Sequence, residues 1–488
     1  MDQARHHQRQ TLADLAEQAM RERGLDPDFP EEVLRQVAGI KGPAADTNPG
    51  IADLSAMAWC SIDNDDSRDL DQLTVLEPLP GGAVRLHVAV ADVDALVPKD
   101  SAADRYAANN TTSVYTAARV FPMLPEKLST DLTSLNPGQS RLAMVTSLDF
   151  DAEGVAGKAT IRRARVLSKA QLAYDSVSAW VTGEGPLPAA AAAAPGMDEQ
   201  LRSQDALAQR LRERRRDQGA LEFQTLQPKA QFDGDDVVNL EQQPQNRARQ
   251  LIEEFMVATN VAVATYLTEQ GRATLQRVVR SPERWARIRE VVSELGETLP
   301  PEPDGAALQR FLSVQRARDP MRFPDLSLTL IKLMGAGEYE VKRPGAHDTG
   351  HFGLAVTDYS HSTAPNRRFP DLVTSRLVKA ALVNAPSPYS VEELASIAEH
   401  CTRQEDAANK VERQIRKSAA ALLLGGRLGE TFDGVITGVS HGNTWVRIFR
   451  PPAEGLLRGA RDARVGRKVR VRLVDTNVDR GFIDFEWA

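Results

Sequence analysis

The stretch Trp59-Cys60-Ser61-Ile62-Asp63-Asn64-Asp65-Asp66-Ser67-Arg68-Asp69-Leu70-Asp71-Gln72-Leu73-Thr74 decides how the rest of the chain is read. Five aspartates fall within nine residues, and the apolar Leu73, Val75 and Leu76 follow at once. Like charges this close repel one another. Two readings account for them: a solvated loop tip, where charged side chains ordinarily lie, or a cation site. Mg2+ takes oxygen ligands and is commonly held by one or two carboxylates together with waters and substrate phosphates. A calcium loop of the EF-hand type fails by position. Counted from Asp63, the sixth residue is Arg68 where glycine is needed, and the twelfth is Thr74 where a bidentate glutamate is needed. The flanks, Ser61-Ile62 and residues 73–76, read as strands rather than helices.

Beyond this stretch, the 488 residues suffice for about two to four domains and at least one large core. An apolar fraction of 42% and a charged fraction of 26% are ordinary for a globular protein. No run of about 18 apolar residues occurs, so no membrane span is expected. The polar first residues lack the apolar core of a secretory signal. Cys60 and Cys401 are the only cysteines, too few for a disulfide framework or a Cys-rich zinc site. A reduced, cytoplasmic protein is expected. The net charge of −7 argues against general nucleic-acid stickiness but not against a local basic channel. From Gly434 onward ten Lys/Arg face six acids, a net of +4.

Residues 8–41 read as two short helices, from the spacing of Leu12, Leu15, Ala16 and Met20 and then of Val33, Leu34 and Val37. The break is Gly24-Leu-Asp-Pro-Asp-Phe-Pro30. A helical arm and a helix-turn-helix-like appendage both fit. Buried strands are expected over residues 84–90 and 143–150, the second turning at 151–154 into a hairpin with 159–166. The Gly/Pro/Ala-rich residues 182–196 read as a surface insertion. The run Arg210, Arg212, Arg214, Arg215 and Arg216 suits either a solvated face or phosphate contact. A long amphipathic helix is expected over 246–270, with Leu251, Phe255, Ala258, Ala262 and Tyr266 on one stripe. Ser390-Val-Glu-Glu393 is a capping box opening another that runs to Leu424. Beyond Thr431 four short strands are expected.

The spacing Ile-Asp63-x5-Asp69-x-Asp71 before a strand resembles the signature of the RNB catalytic domain of the ribonuclease II family. The likeness continues in order through His87-Val-Ala-Val-Ala-Asp92-Val, Thr112-Ser-Val-Tyr115, Phe121-Pro-Met-Leu-Pro-Glu126, Ser134-Leu-Asn-Pro137, Leu251-Ile-Glu253-Glu254-Phe-Met256, Gly350-His351-Phe-Gly-Leu354 and Tyr359-Ser-His361-Ser-Thr-Ala-Pro365-Asn-Arg367-Arg368-Phe-Pro-Asp371. It spans roughly residues 55–425. The resemblance implies an α+β fold: an RNB catalytic domain with a mixed sheet and long helices over 51–428, after an N-terminal appendage at 1–50. Residues 429–488 are then a small C-terminal β-barrel, an OB-fold of the ribosomal-protein-S-one type.

The same resemblance implies a monomeric, hydrolytic, processive 3′→5′ exoribonuclease acting on single-stranded RNA. Asp63, Asp69 and Asp71 would hold Mg2+, with Mn2+ as the alternative ion. Asp71 and Arg367 would be catalytic, since a guanidinium pairs bidentately with phosphate oxygens and stays charged. Tyr115 and Phe223 would stack on bases and Glu253 would contact a ribose, while Arg368 and the barrel's Trp445 and Phe449 complete the RNA-binding candidates. Arg368 reads more readily as a structural or backbone-bonding arginine, and Trp445 is equally a strand core residue. His87, His351 and His361 have no metal spacing; an acid–base set is one reading, and core or backbone-bonding histidines the better one. Two departures stand out: Gln72 occupies the family's fourth acidic position, and Ala364 and Asn366 replace its Ser and Ile. Asp65 or Asp66 is a candidate for the missing charge. An RNA-binding regulator in which Gln72 has weakened or removed turnover is the alternative function.

Overall fold

A computed structural model describes residues 7–46, 50–225, 228–242, 245–440, 442–459 and 463–488. Its centre is a seven-stranded mixed sheet of β1 (Ala52–Asp53), β2 (Cys60–Asp63), β3 (Gln72–Pro78), β4 (Val84–Ala91), β5 (Ser140–Phe150), β6 (Ala156–Leu167) and β7 (Ala170–Ala173). The spatial order is β1-β6-β5-β4-β3-β2-β7. β3, β4, β5 and β6 pair antiparallel in sequence, with Val75 opposite His87 and His87 opposite Ser147. β1 and β7 join the edges in parallel. The centre is buried on both faces, which is why β4 and β5 read as nearly continuous apolar runs. Alternation sends Leu73, Val75 and Ala89 into one core cluster and Leu76, Val88 and Val90 into another.

Among the helices that frame the sheet and lead into the barrel are α1 (Gln8–Glu22), α2 (Glu31–Gly39), α3 (Met197–Asp217), α4 (Arg247–Glu269), α5 (Phe369–Leu382) and α6 (Val391–Leu424). α3 and α4 cover one face of the sheet, and α5 with the front of α6 the other. α4 is buried around most of its circumference rather than along one stripe; Leu251, Phe255, Val257, Ala262 and Leu267 are all inside. The expected capping box at Ser390 and Glu393 is formed. α1 lays Leu12, Ala16, Ala19 and Met20 into the same apolar cluster as Val411, Ile415 and Ala419 of α6.

The low-complexity stretch departs from expectation at two residues. Ala191 and Ala194 are buried against the sheet's second core cluster, and residues 189–192 form a helical turn. Alanine is small enough to pack closely there; most of residues 182–196 is otherwise exposed, as expected of a surface insertion, so only these two side chains depart from it.

After α6 the chain closes a five-stranded barrel of β8 (Thr431–Ser440), β9 (Asn443–Ile448), β10 (Ala453–Leu457), β11 (Lys468–Asn477) and β12 (Phe482–Trp487), in the order β8-β9-β10-β12-β11. The α+β domain followed by a small barrel is therefore present. Four strands were expected and five occur. The extra one, β10, hides behind Glu454 and Gly455; any side chain at 455 would strike the Ile483 carbonyl oxygen. Among the described residues no helix is long and apolar enough to cross a membrane.

Candidate active site

The carboxylate loop, residues 64–71, joins β2 to β3 where the sheet meets the start of α5. Its anchors come from within and from afar. Asp63 Oδ1 accepts from the Asn64 N–H at 2.7 Å and from Ser67 Oγ at 3.0 Å. Ser134 Oγ accepts from the Leu70 N–H at 2.9 Å, and the Leu70 carbonyl accepts from the Leu135 N–H. The segment Ser134-Leu-Asn-Pro137 thus fixes the bend of the loop.

Asp71 is 2% exposed. Its Oδ1 accepts from the Asn366 N–H at 2.9 Å, while its Oδ2 lies 3.5 Å from Arg367 Nε and has no hydrogen-bond donor. Burial pushes the carboxyl up to about 8, against the opposing pull of Arg367 and with a further push from Asp69. Burial also raises Asp63. The Tyr115 hydroxyl donates to Asp69 Oδ2 at 3.0 Å.

These groups suit a divalent cation on the evidence of their own chemistry. A buried carboxylate whose second oxygen lacks a donor, beside two other carboxylates, is costly without positive charge. They do not form a closed cage. Among the described residues no three His, Cys, Asp or Glu side chains converge closely enough to hold an ion by themselves. Water and phosphate oxygens would have to complete the coordination, as Mg2+ commonly requires. Asp65 and Asp66 are exposed, and Asp66 sits 3.6 Å from Lys229, so neither joins the cluster. Gln72 begins β3 with its side chain on the face of Thr74 and Leu76, opposite to that of Asp71. Its buried Oε1 has no donor.

The departures in the arginine loop keep its backbone contacts, though the buried Asn366 Nδ2 has no acceptor. Asn366 serves Asp71 through its backbone, which any residue but proline supplies, and its side chain accepts from Thr133 Oγ1 at 2.5 Å. The Ala364 N–H donates to Asp371 at 2.8 Å. Arg367 keeps 42% of its side chain exposed. Arg368 turns inward onto Asp371 at 2.7 Å.

One cavity opens on this centre, and a second lies along α4. The first, of about 810 Å3, contains Asp69, Tyr115, Arg68, Lys229 and Arg416. The second, of about 390 Å3, brings Phe223 together with Glu253, Arg215 and Arg316. Of the Arg-rich run, Arg212 binds Glu222 at 2.5 Å and Arg215 binds Glu254 at 2.6 Å, so internal acids occupy both. Gln224, next to Phe223, opens into a groove of about 760 Å3 shared with Arg447, Phe449 and Arg450 of the barrel. Trp445 is half-buried against Gly438 and lines none of these three spaces. Of the three histidines, His87 is buried between Ser147 and Glu77, while His351 and His361 are half-buried: His351 Nδ1 accepts the Leu354 N–H at 3.1 Å, and His361 Nδ1 is 2.8 Å from the Tyr339 hydroxyl.

Two positioning residues carry no mark in the sequence motifs. Arg249 donates to Asn64 Oδ1 at 2.9 Å and lies over the Tyr174 ring. Glu412 accepts the Tyr115 N–H at 2.8 Å. Arg249 follows the N-cap Asn246, whose helix-start signal marks where that first turn would fall; Glu412, 297 residues from its partner, left no local signal.

Residues 51–384 match the family model described as the RNB domain, and residues 430–488 that of the RNase II-type exonuclease C-terminal S1 domain. Ribonuclease R of Vibrio cholerae is 30% identical over 96% of this chain and 61% of its own length. Ribonuclease R of Escherichia coli is likewise 30% identical, over 96% and 61%. The chain therefore spans about three fifths of these relatives. The apo structure of Mycoplasma genitalium RNase R superposes with a TM-score of 0.88 at 23% identity, covering 98% of this chain and 78% of that one. Yeast Ssd1, described as a pseudonuclease, superposes at 0.72 with 17% identity, covering 91% and 55%. The fold thus occurs with and without nuclease activity. With the RNB model matched over two thirds of its length and the S1 model over its end, this chain belongs to the RNB-domain, ribonuclease II family.

Proposed function

We propose that this protein is a hydrolytic 3′→5′ exoribonuclease that degrades single-stranded RNA processively to nucleoside 5′-monophosphates. The observation that carries the reading is the Asp71 carboxylate, buried with one oxygen unpartnered beside the half-exposed Arg367. Family membership gives the reaction class, and Mycoplasma genitalium RNase R has been solved with ribose-methylated single-stranded RNA. In this reading residues 51–428 are the catalytic unit, 429–488 an RNA-binding OB-fold, and 1–50 a helical appendage. The protein acts as a cytoplasmic monomer.

Asp63, Asp69 and Asp71 would hold divalent ions, Mg2+ first and Mn2+ as the alternative. Bound there, such ions supply an activated water and neutralise charge developing on the leaving oxygen. Arg367 pairs with the scissile phosphate oxygens, and its distance from Asp71 keeps the two charges opposed until a phosphate enters. Tyr115 and Phe223 present ring faces to the terminal bases, Glu412 holding the first by its backbone. Glu253 takes a ribose hydroxyl, the contact by which a site distinguishes RNA from DNA. Arg368, held by Asp371, positions the loop, and Trp445 adds a ring on the barrel.

Chromatography of products from 5′-end-labelled RNA, with Mg2+ and with EDTA, tests this. Mononucleotides and a short labelled limit product with Mg2+, and intact RNA with EDTA, are expected. RNA bound but uncut in Mg2+ and Mn2+ would overturn it and identify a binding protein.

A further inference from the structure

Away from the carboxylate loop, α1, α6 and the barrel enclose a groove of about 810 Å3. Both walls are fixed. Arg23, which caps the end of α1, donates to Gln414 of α6 at 2.8 Å. On the other side the turn before β12 seats Gly481, at φ 64°, so close to α6 that a Cβ would fall 2.7 Å from that of Lys417. Only glycine permits that approach.

Five cations line the groove, Arg23, Lys410, Arg413, Lys417 and Arg480, against the carboxylates Glu22 and Asp479. Lys410 pairs with Asp406 at 2.6 Å. Arg413, Lys417 and Arg480 are exposed and form no ion pair among the described residues. Phe482 stands beside them with 57% of its surface in solvent. A merely solvated face intersperses both signs. Here uncompensated cations from two elements gather at an open aromatic ring, in a chain whose net charge is −7.

Cations for phosphates beside a ring for an unstacked base are how single-stranded nucleic acid is held without regard to sequence. We propose that this groove is an auxiliary binding site for single-stranded RNA. The choice of RNA rests on the function proposed above; the groove itself does not. Glu412 and Arg416 face the Tyr115 cavity, and Arg413 and Lys417 follow about 100° round the same helix. One helix therefore borders both sites, and only RNA longer than the catalytic channel reaches the groove.

The test is binding in EDTA, where affinity is read without turnover, using RNAs of about thirty and about eight nucleotides. The triple variant Arg413→Glu/Lys417→Glu/Arg480→Glu should bind the longer RNA about tenfold more weakly. Its log–log salt dependence should be shallower by about two, the loss expected for three phosphate contacts. The shorter RNA should bind as to wild type. Phe482→Ala should weaken the longer RNA a few-fold with the salt slope unchanged. Unaltered binding of the longer RNA by the triple variant overturns the proposal. So does an equal loss on reversing the remote Arg35 and Arg403. Wild-type protein that leaves the longer RNA uncut in Mg2+ would sink the exonuclease reading and leave this result standing.

Discussion

The two ends of α5 each sit over buried aspartates, and they treat them in opposite ways. At the far end, Asp92 meets Arg163 and Lys379, both at 2.9 Å, and Asp94 meets Arg376 at 2.7 Å and Lys379 at 2.8 Å. Asp104 shares Arg376 at 2.7 Å. Each of these carboxylates has a cation in contact. At the near end Asp71 has a backbone N–H, a guanidinium at 3.5 Å and an oxygen with no donor. The first cluster is finished in charge by the protein, with a cation within 2.9 Å of every carboxylate although Asp104 Oδ1 too has no hydrogen-bond donor; the second needs charge brought to it. Acidic residues alone do not mark a site. What distinguishes one is a charge the fold has left unbalanced.

The largest expected effect breaks the open end. Asp71→Asn should lower turnover by about a thousandfold or more while RNA affinity stays near wild type, because contacts along the strand are distributed and the ions serve chemistry. Steady-state rates and equilibrium binding measured together check this, and turnover close to wild type would remove Asp71 from the site. Its stability should not fall, since the amide replaces a carboxylate that burial already disfavours.

Asp94→Asn attacks the finished end and should do the reverse. It leaves Arg376 and Lys379 short of a partner and should cost about 3 kcal/mol in urea unfolding, with turnover per folded molecule retained. An unchanged midpoint would show that the network is not structural.

Acid should then erase that difference. Burial pushes the Asp94 carboxyl up, but the charge of Lys379 and hydrogen bonds from Lys379 and Arg376 outweigh it and hold it below its ordinary range. The native state therefore binds that proton less readily than the unfolded chain. Its stabilisation is full above the unfolded value of about 4 and is lost as pH falls through the native one. Unfolding curves of wild type and Asp94→Asn should converge below about pH 4; a constant gap would contradict the assignment.

The smallest effect is expected at Gln72. Gln72→Asp adds a charge near the ions from the opposite face of β3, and should lower half-saturating Mg2+ about two- to threefold. Identical titrations would mean that position 72 does not act on the ions.

Much of the open end was legible because its residues announce themselves locally: five aspartates in nine positions, a paired arginine, strands on both flanks. The finished end was not. Asp92 and Lys379 lie 287 residues apart, and nothing near either names the other. Glu412 was invisible for the same reason. The burial of Ala191 and Ala194 inside a mostly exposed segment is hidden because composition does not tell which alanine faces the core, and β10 is hidden because a glycine needed for close approach looks like a break. Periodicity and capping report what a residue does for its own element, not whom it meets across the fold.

The 34 residues of α6 make a rod about 51 Å long. Along it lie the Glu405 pair to Arg277, the Glu412 grip on Tyr115 and the seat of Gly481. Such a rod fixes angular phase. One residue inserted between Glu412 and Lys417 would swing the barrel about 100° around the helix axis relative to Tyr115. The length of this helix is therefore constrained as a gear is constrained by its teeth, and drift in its sequence is tolerable where drift in its length is not.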